Sequence, residues 1–239
     1  MNNPGSRRSG AQVGLQPLQT KQQSLQDLAY SAIRTAIITK ALPPGTKVSE
    51  AGLAASLNVS KTPVREALLR LTSIGLLESD GRSGVRVTEP SLDGLRAAFD
   101  VREGLEVQSA RLAAGRVGEA IEGLTAARDA ANRCLAAAHE GDQEAFGQYD
   151  RIFHQELAEM TQNSYLIKAI AETSDVALAL RVRDAPAEVL SVQCAQEHVA
   201  VIDAVAVGDV VSAGERMREH ISKARASLTA VFETVNSDS

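Results

Sequence analysis

From Leu25 the apolar residues fall at Leu25, Leu28, Ala29, Ala32, Ile33, Ala36 and Ile37. That spacing of three and four places them on one face of a helix, which ends at Pro43-Pro44-Gly45. A second, short helix is predicted around 50–57, buried through Leu53, Ala54 and Leu57. Asn58, a residue that tolerates left-handed backbone, closes it. Ser60 then offers an N-cap oxygen, and Pro63 falls in a first helical turn, where its missing N–H is not needed. Val64, Ala67, Leu68, Leu71 and Ile74 form the apolar face of this third helix. After Gly75 the period shortens. Leu76-Leu77-Glu78-Ser79 and Val85-Arg86-Val87-Thr88, joined by Asp80-Gly81-Arg82-Ser83-Gly84, predict a β-hairpin. From Leu92 onward the pattern is helical, interrupted near Gly115 to Gly118, Gly141-Asp142, Asn163, Ala185-Pro186 and Gly208-Asp209. It gives six helical segments and no strand.

These elements predict a mainly α fold: a winged helix-turn-helix of three helices plus a hairpin wing, then an all-α antiparallel helical bundle. Residues 1–22 lack hydrophobic periodicity and read as a disordered tail. Residues 23–89 form the first domain and residues 90–234 the second. Composition agrees. Hydrophobic residues make up 44% of the 239, with no Trp and only four Phe and three Tyr, so small aliphatic side chains on helices supply the packing.

Charge changes the picture further. The chain carries −5 overall, which argues against a nucleic-acid partner. Residues 1–90, however, hold 11 Lys plus Arg against 6 Asp plus Glu, while residues 91–239 hold 14 against 24. The first part is suited to meet phosphate and the second is not. Cys134 and Cys194, the two cysteines, sit in Ala-rich helical surroundings and read as reduced thiols. No run approaches the ~18 apolar residues of a membrane span, so a cytoplasmic protein without a membrane partner is expected.

Two helices joined by a tight turn, the second basic at its start, have the geometry that presents a helix N-terminus to a major groove. Lys61 and Arg65 are four residues apart and share a face away from the core, with hydroxyls on Ser60 and Thr62 beside them. Arg82 and Arg86 on the wing are placed to reach a neighbouring groove or backbone. The alternative for Lys61 and Arg65 is a merely solvated surface. Pro43-Pro44-Gly45-Thr46, Ser49-Glu50, Leu53-Ala54, the run Asn58-Val59-Ser60-Lys61-Thr62-Pro63-Val64-Arg65-Glu66-Ala67-Leu68, and Gly75-Leu76 resemble the GntR family of bacterial repressors. The resemblance covers about residues 22–88. It implies DNA contacts from Ser60, Lys61, Thr62 and Arg65, and a wing-tip role for Gly84, whose backbone can approach DNA closely. The family usually carries a basic residue after the glutamate of the second helix, where this chain has Ala51.

The four histidines are His139, His154, His198 and His220. Asp150 and His154 are one helical turn apart and can present a carboxylate and an imidazole to one ion. For any single histidine the alternative is an ordinary hydrogen-bonded residue, and His139 reads as surface. Asp150-Arg151-Ile152-Phe153-His154, Asn163, Glu197-His198 and His220 resemble the metal-site pattern of the FCD effector domain of FadR-type GntR regulators, over about residues 92–230. That resemblance implies a divalent metal ion (zinc, nickel or manganese) on Asp150, His154, His198 and His220. It further implies a small carboxylate effector at the open coordination positions, met by Arg102, with Asn163 in the effector site. The alternative for Arg102 is a surface ion pair with Glu106.

Together these readings describe a DNA-binding repressor, a homodimer on near-palindromic double-stranded operator DNA, controlled by a small carboxylate. A variant keeps the regulator but makes the second-domain site metal-free or structural. A hydrolase using metal-bound water would take the same His and Asp residues. No Ser-His-Asp, phosphate-loop or Cys-x-x-Cys pattern supports catalysis, so an enzyme is not expected.

Overall fold

The computed structural model describes residues 24–81, 84–180 and 192–237. The expected tail over 1–22, Arg82 and the break at Ala185-Pro186 lie outside them. Ser24 caps α1 (Leu25–Ile38) by accepting from the Asp27 amide. Ser49 does the same for α2 (Glu50–Leu57) through the Gly52 amide, and Asn58 closes α2 with φ 53°, in the left-handed region. α3 (Lys61–Ser73) follows after that turn, with Pro63 and Val64 buried in its first turn. Ala29, Ile33, Ile37, Val64, Leu71, Leu76, Leu77 and Val87 make the core of this head.

The wing is larger than the hairpin expected. β2 (Leu77–Ser79) and β3 (Val85–Val87) pair antiparallel, and β1 (Lys47–Val48) adds to the other side of β3, giving the order β1-β3-β2. A two-residue strand is too short to show alternation, which is why the pattern missed it. Gly45 makes it possible. Its φ of +77° turns the chain back onto β3, and a Cβ there would lie 2.7 Å from the Glu89 carboxylate.

Beyond Ser91, which caps it, α4 (Leu92–Gly115) begins the helical domain. α5 (Ile121–Glu140), α6 (Gln143–Glu159), α7 (Ser164–Ala179), α8 (Val192–Ala206) and α9 (Val210–Ser237) complete the six helices expected, with no strand among the described residues of this part. α4 packs along α9, and α5 along α6 and α8. The main core contains Leu95, Phe99, Phe153, Leu157, Ile202, Met217 and Ile221, with alanines such as Ala110, Ala127 and Ala131 allowing close helix approach. Among the described residues no helix is long and apolar enough to cross a membrane.

The head is joined to the helical domain through α1 and α7. Val176 and Ala179 of α7 pack into the head core. Arg34 of α1 forks onto the Asp175 carboxylate through Nε and Nη2. Lys40, itself at positive φ (60°), donates to the Ala179 carbonyl at the end of α7. Asp175 is 3% exposed. Losing one member of a largely buried pair leaves the other uncompensated. Asp175→Ala is therefore expected to destabilise the head by about 1–3 kcal/mol, the lower end reflecting a partly exposed Arg34. Calorimetry should show the head transition shifting to lower temperature, away from that of the helical domain. A trace superimposable on the wild type would remove this pair from the junction.

Candidate functional site

Three helices bring four polar side chains into the apolar interior of the helical domain. α6 contributes Asp150 and His154, α8 His198 and α9 His220, and all three imidazoles are at most 3% exposed. Their Nε2 atoms face one another: His198 to His220 at 3.2 Å and His220 to His154 at 3.3 Å. Asp150 Oδ1 lies 3.5 Å from His198 Nε2 and 3.9 Å from His154 Nε2. Donor atoms from the four residues all lie within 4.8 Å of one another. The sequence pairing of Asp150 with His154 and the two distant histidines thus meet at one point.

Carboxylates on the far sides of two rings determine which nitrogen faces that point. Glu106 Oε2 of α4 lies against His154 Nδ1, and Glu197 Oε2 of α8 lies 3.1 Å from His220 Nδ1. A carboxylate holds the proton on Nδ1, which leaves Nε2 as a lone pair. Phe153 stacks on His198, with ring centroids 4.3 Å apart, and orients the third ring. Burial works to raise the Glu106 carboxyl, yet the Arg102 guanidinium and His154 outweigh it and hold the group at about 2. Burial pushes the His198 imidazole well below its ordinary value, with His220 adding to the effect. It also lowers His220, against the opposing pull of Glu197.

Two such lone pairs, His198 Nε2 and a carboxylate oxygen converge in a dry interior, an arrangement that a cation between them would stabilise. Two donors about 2.0–2.1 Å from one ion at near-tetrahedral angles are about 3.3–3.4 Å apart. The two imidazole contacts match that edge, so the donor set fits a divalent metal ion. Cys194 Sγ, 4.0 Å from His220 Nδ1, lies on the opposite side of that ring. There the Lys223 ammonium, 3.1 Å from Glu197 Oε1, already supplies a positive charge.

The head presents a second set. Ser60, Lys61, Thr62 and Arg65 are exposed at the start of α3. Ser60 makes no capping bond, so its hydroxyl is available. A cleft of about 550 Å³ runs between α2, α3 and the wing, lined by Glu50, Ala51, Lys61, Arg65, Gly84 and Val85 among others. Arg86, placed on the wing by the sequence, is turned to Asp80, which also accepts from Lys47 at 2.9 Å. It braces the sheet through that carboxylate.

Comparison with known proteins fits both halves. The model of the gntR family of bacterial regulatory proteins matches residues 25–87, and that of the FCD domain matches residues 97–223. The chain belongs to the GntR family. It is 30% identical, over 76% of its length and 78% of the relative's, to the probable D-xylose utilization operon transcriptional repressor of Paenarthrobacter nicotinovorans. It is also 30% identical, over 86% of its length and 83% of the relative's, to an HTH-type transcriptional regulator from an unstable DNA locus of Streptomyces ambofaciens. The solved structure of E. coli McbR/YncC shares the fold, with TM-score 0.72 at 21% identity over 90% of this chain and all of that one. The protein is a DNA-binding transcription regulator, and its relatives are regulators rather than enzymes.

In this GntR-family regulator two expected effector residues have other surroundings. Arg102 does pair with Glu106, but in the interior: it is 4% exposed, with Nε 2.5 Å from Glu106 Oε1. It therefore borders the histidine cluster through Glu106. Asn163 is exposed and caps α7, its Oδ1 accepting from the amides of Tyr165 and Leu166. Its amide oxygen is engaged at a helix start. His139 is exposed, as expected. Glu106 escaped the sequence reading as a partner of His154, because the contact joins α4 to α6.

Burial of neutral imidazoles sets a pH dependence for the metal-free protein. Unfolded, His198 and His220 take up protons near 6.5; folded, they do so only at lower pH. As pH falls through that value the unfolded state binds more protons, so stability drops by up to about 1.4 kcal/mol per pH unit for each ring. Glu106 adds a further loss only between 4.5 and about 2. With chelator present, melting temperature is expected to fall from about pH 7 to about pH 5, and less so in His198→Gln. A flat wild-type profile would contradict buried neutral rings.

Proposed function

We propose that this regulator is a repressor whose operator affinity is set by a small carboxylate metabolite bound at a divalent metal ion in the helical domain. The observation that carries this reading is the convergence of three buried Nε2 atoms and the Asp150 carboxylate behind a head with an exposed basic helix start. Asp150, His154, His198 and His220 hold the ion, and a set of three imidazoles and one carboxylate suits zinc, nickel or manganese. A divalent ion held there would supply Lewis acidity toward a carboxylate oxygen of the effector. Glu106 and Glu197 keep the Nδ1 protons in place, and Arg102, with donors beyond the Nε held by Glu106, meets the effector carboxylate.

The head, taken as residues 23–89, enters the major groove with the start of α3. Ser60, Lys61, Thr62 and Arg65 make the contacts, with the backbone of Gly84 and the side chain of Arg82 at the wing. Two chains pair through the helical domains, residues 90–234, because one small head meets too few phosphates for tight binding to a near-palindromic site. The name of the Paenarthrobacter relative supports repression as the sign of control. The signal leaves the site along α6. This helix carries Asp150 and His154, while its Arg151 and Gln155 line a small cavity with Arg34 and Asp175 at the head junction. An effector that shifts α6 changes what Arg34 rests on. A coupling of about 1–3 kcal/mol corresponds to a loss of DNA affinity of roughly 5- to 150-fold.

Elemental analysis of unchelated protein is expected to find about one metal per chain, reduced sharply in His154→Ala and in His220→Ala. Small carboxylates should raise the melting temperature only without chelator. Full metal content in both variants would place the ion elsewhere, and no metal under any loading would make the cluster a structural one. Lys61→Ala combined with Arg65→Ala should abolish binding to a duplex selected by the wild type while leaving the melting temperature unchanged. Retained binding at moderate salt would remove α3 from the interface.

A further inference from the structure

The DNA-facing cleft of the head contains an acid. Glu50, in the first turn of α2, accepts from Arg65 of α3 twice: Nε to Oε1 at 2.9 Å and Nη2 to Oε2 at 2.9 Å. Both side chains line the cleft with Ala51, Lys61 and Gly84. A carboxylate in such a place repels DNA phosphate, so a surface shaped by charge alone would leave it out. The pair is also exposed, Arg65 at 61% and Glu50 at 35%, where ion pairs contribute little to stability. What a two-point contact between two helices does provide is direction. Arg65 lacks the packing that would hold a long side chain in one rotamer, and Ser49 fixes the start of α2 by capping it, so the carboxylate is a fixed platform for the fork.

We propose that Glu50 is a positioning residue for base reading. It locks the Arg65 guanidinium through Nε and one Nη2 hydrogen, so that Nη1 and the other Nη2 hydrogen present a ready edge to the O6 and N7 atoms of a guanine. The inference rests on the reading of α3 as the helix that enters the major groove. Neighbouring Ala51 brings no polar atom to the cleft, so discrimination there falls on Arg65 and Lys61, and the direction of Arg65 matters correspondingly more. Pre-ordering the side chain also reduces the freedom lost when DNA binds.

The test uses the full-length protein and two probes: a duplex enriched by the wild type from a randomised pool, and the unselected pool. In Glu50→Ala, affinity for the selected duplex is expected to fall about tenfold, and the preference for guanine at one position of each half-site to disappear on re-selection. Affinity for the unselected pool should stay level or rise about twofold, since a negative charge has left the interface. Glu50→Gln, which keeps one acceptor and the shape, should lie between the two, and equal melting temperatures show that both variants fold. Tighter binding of both probes by one common factor would overturn the proposal and leave Glu50 as a helix-start charge only. Unchanged discrimination would overturn it as well. Arg65→Ala separates the two layers: if that variant keeps full affinity for the selected duplex, the reading of α3 fails before Glu50 is in question.

Discussion

Burying an imidazole is costly where its nitrogens lack partners, and the helical domain is arranged to hold three of them around one point. α4 supplies Glu106 to His154, α8 supplies Glu197 to His220, and Phe153 stacks on His198. These contacts fix ring orientation from outside the cluster and leave the inner nitrogens and Asp150 to share one point. Alanine-rich faces on α4 and α5 would tolerate several helix registers, because small side chains interdigitate weakly. The polar cluster does not tolerate them. A slip of one residue on α6, α8 or α9 would turn an imidazole into hydrocarbon with its nitrogens unpaired, at a penalty of several kcal/mol.

The same requirement reaches the head through one helix-to-helix path. Asp175 is another buried charge, and its partner comes from the head rather than from its own domain. Among the described residues, the Asp175 carboxylate of the helical domain is paired by Arg34 of the head, and the head has its Lys40 directed at the end of the same helix. Apolar contacts of Val176 and Ala179 add to the junction. A junction with few apolar contacts and two charged ones can change arrangement at modest energy. Such a junction suits the effector control proposed for this regulator.

Periodicity made nearly the whole helical framework legible, including the ends of α2 and α5 at Asn58 and Gly141, because a 3.6-residue repeat accumulates over many turns. β1 was not legible: two residues carry no period, and its strand character comes from β3 beside it. Among site residues, the histidines stood out by scarcity and apolar surroundings. Glu106 did not, since an acid four residues after an arginine on a helix looks like a surface pair until its burial is known. Asn163 is the opposite case. A residue type and position shared with a site pattern also suits an N-cap, and the local backbone claims its oxygen. Asp175 and Lys40 are invisible to any one-helix reading, because their meaning lies across the junction.

Charge separation along the chain is partly undone within the head itself. Of its cations, Arg34 is held by Asp175, Arg65 by Glu50, and both Lys47 and Arg86 by Asp80. The excess of positive residues therefore overstates the field that DNA would meet, and much of it is committed to geometry. A head built this way gains less from phosphate attraction than its composition suggests, and that attraction is the part of binding that ignores sequence. Side chains already held in place carry a larger share of discrimination. In the proposed dimer, weak non-specific attraction in each head would make simultaneous engagement of two heads the natural source of affinity, and would place the proposed control in their relative arrangement.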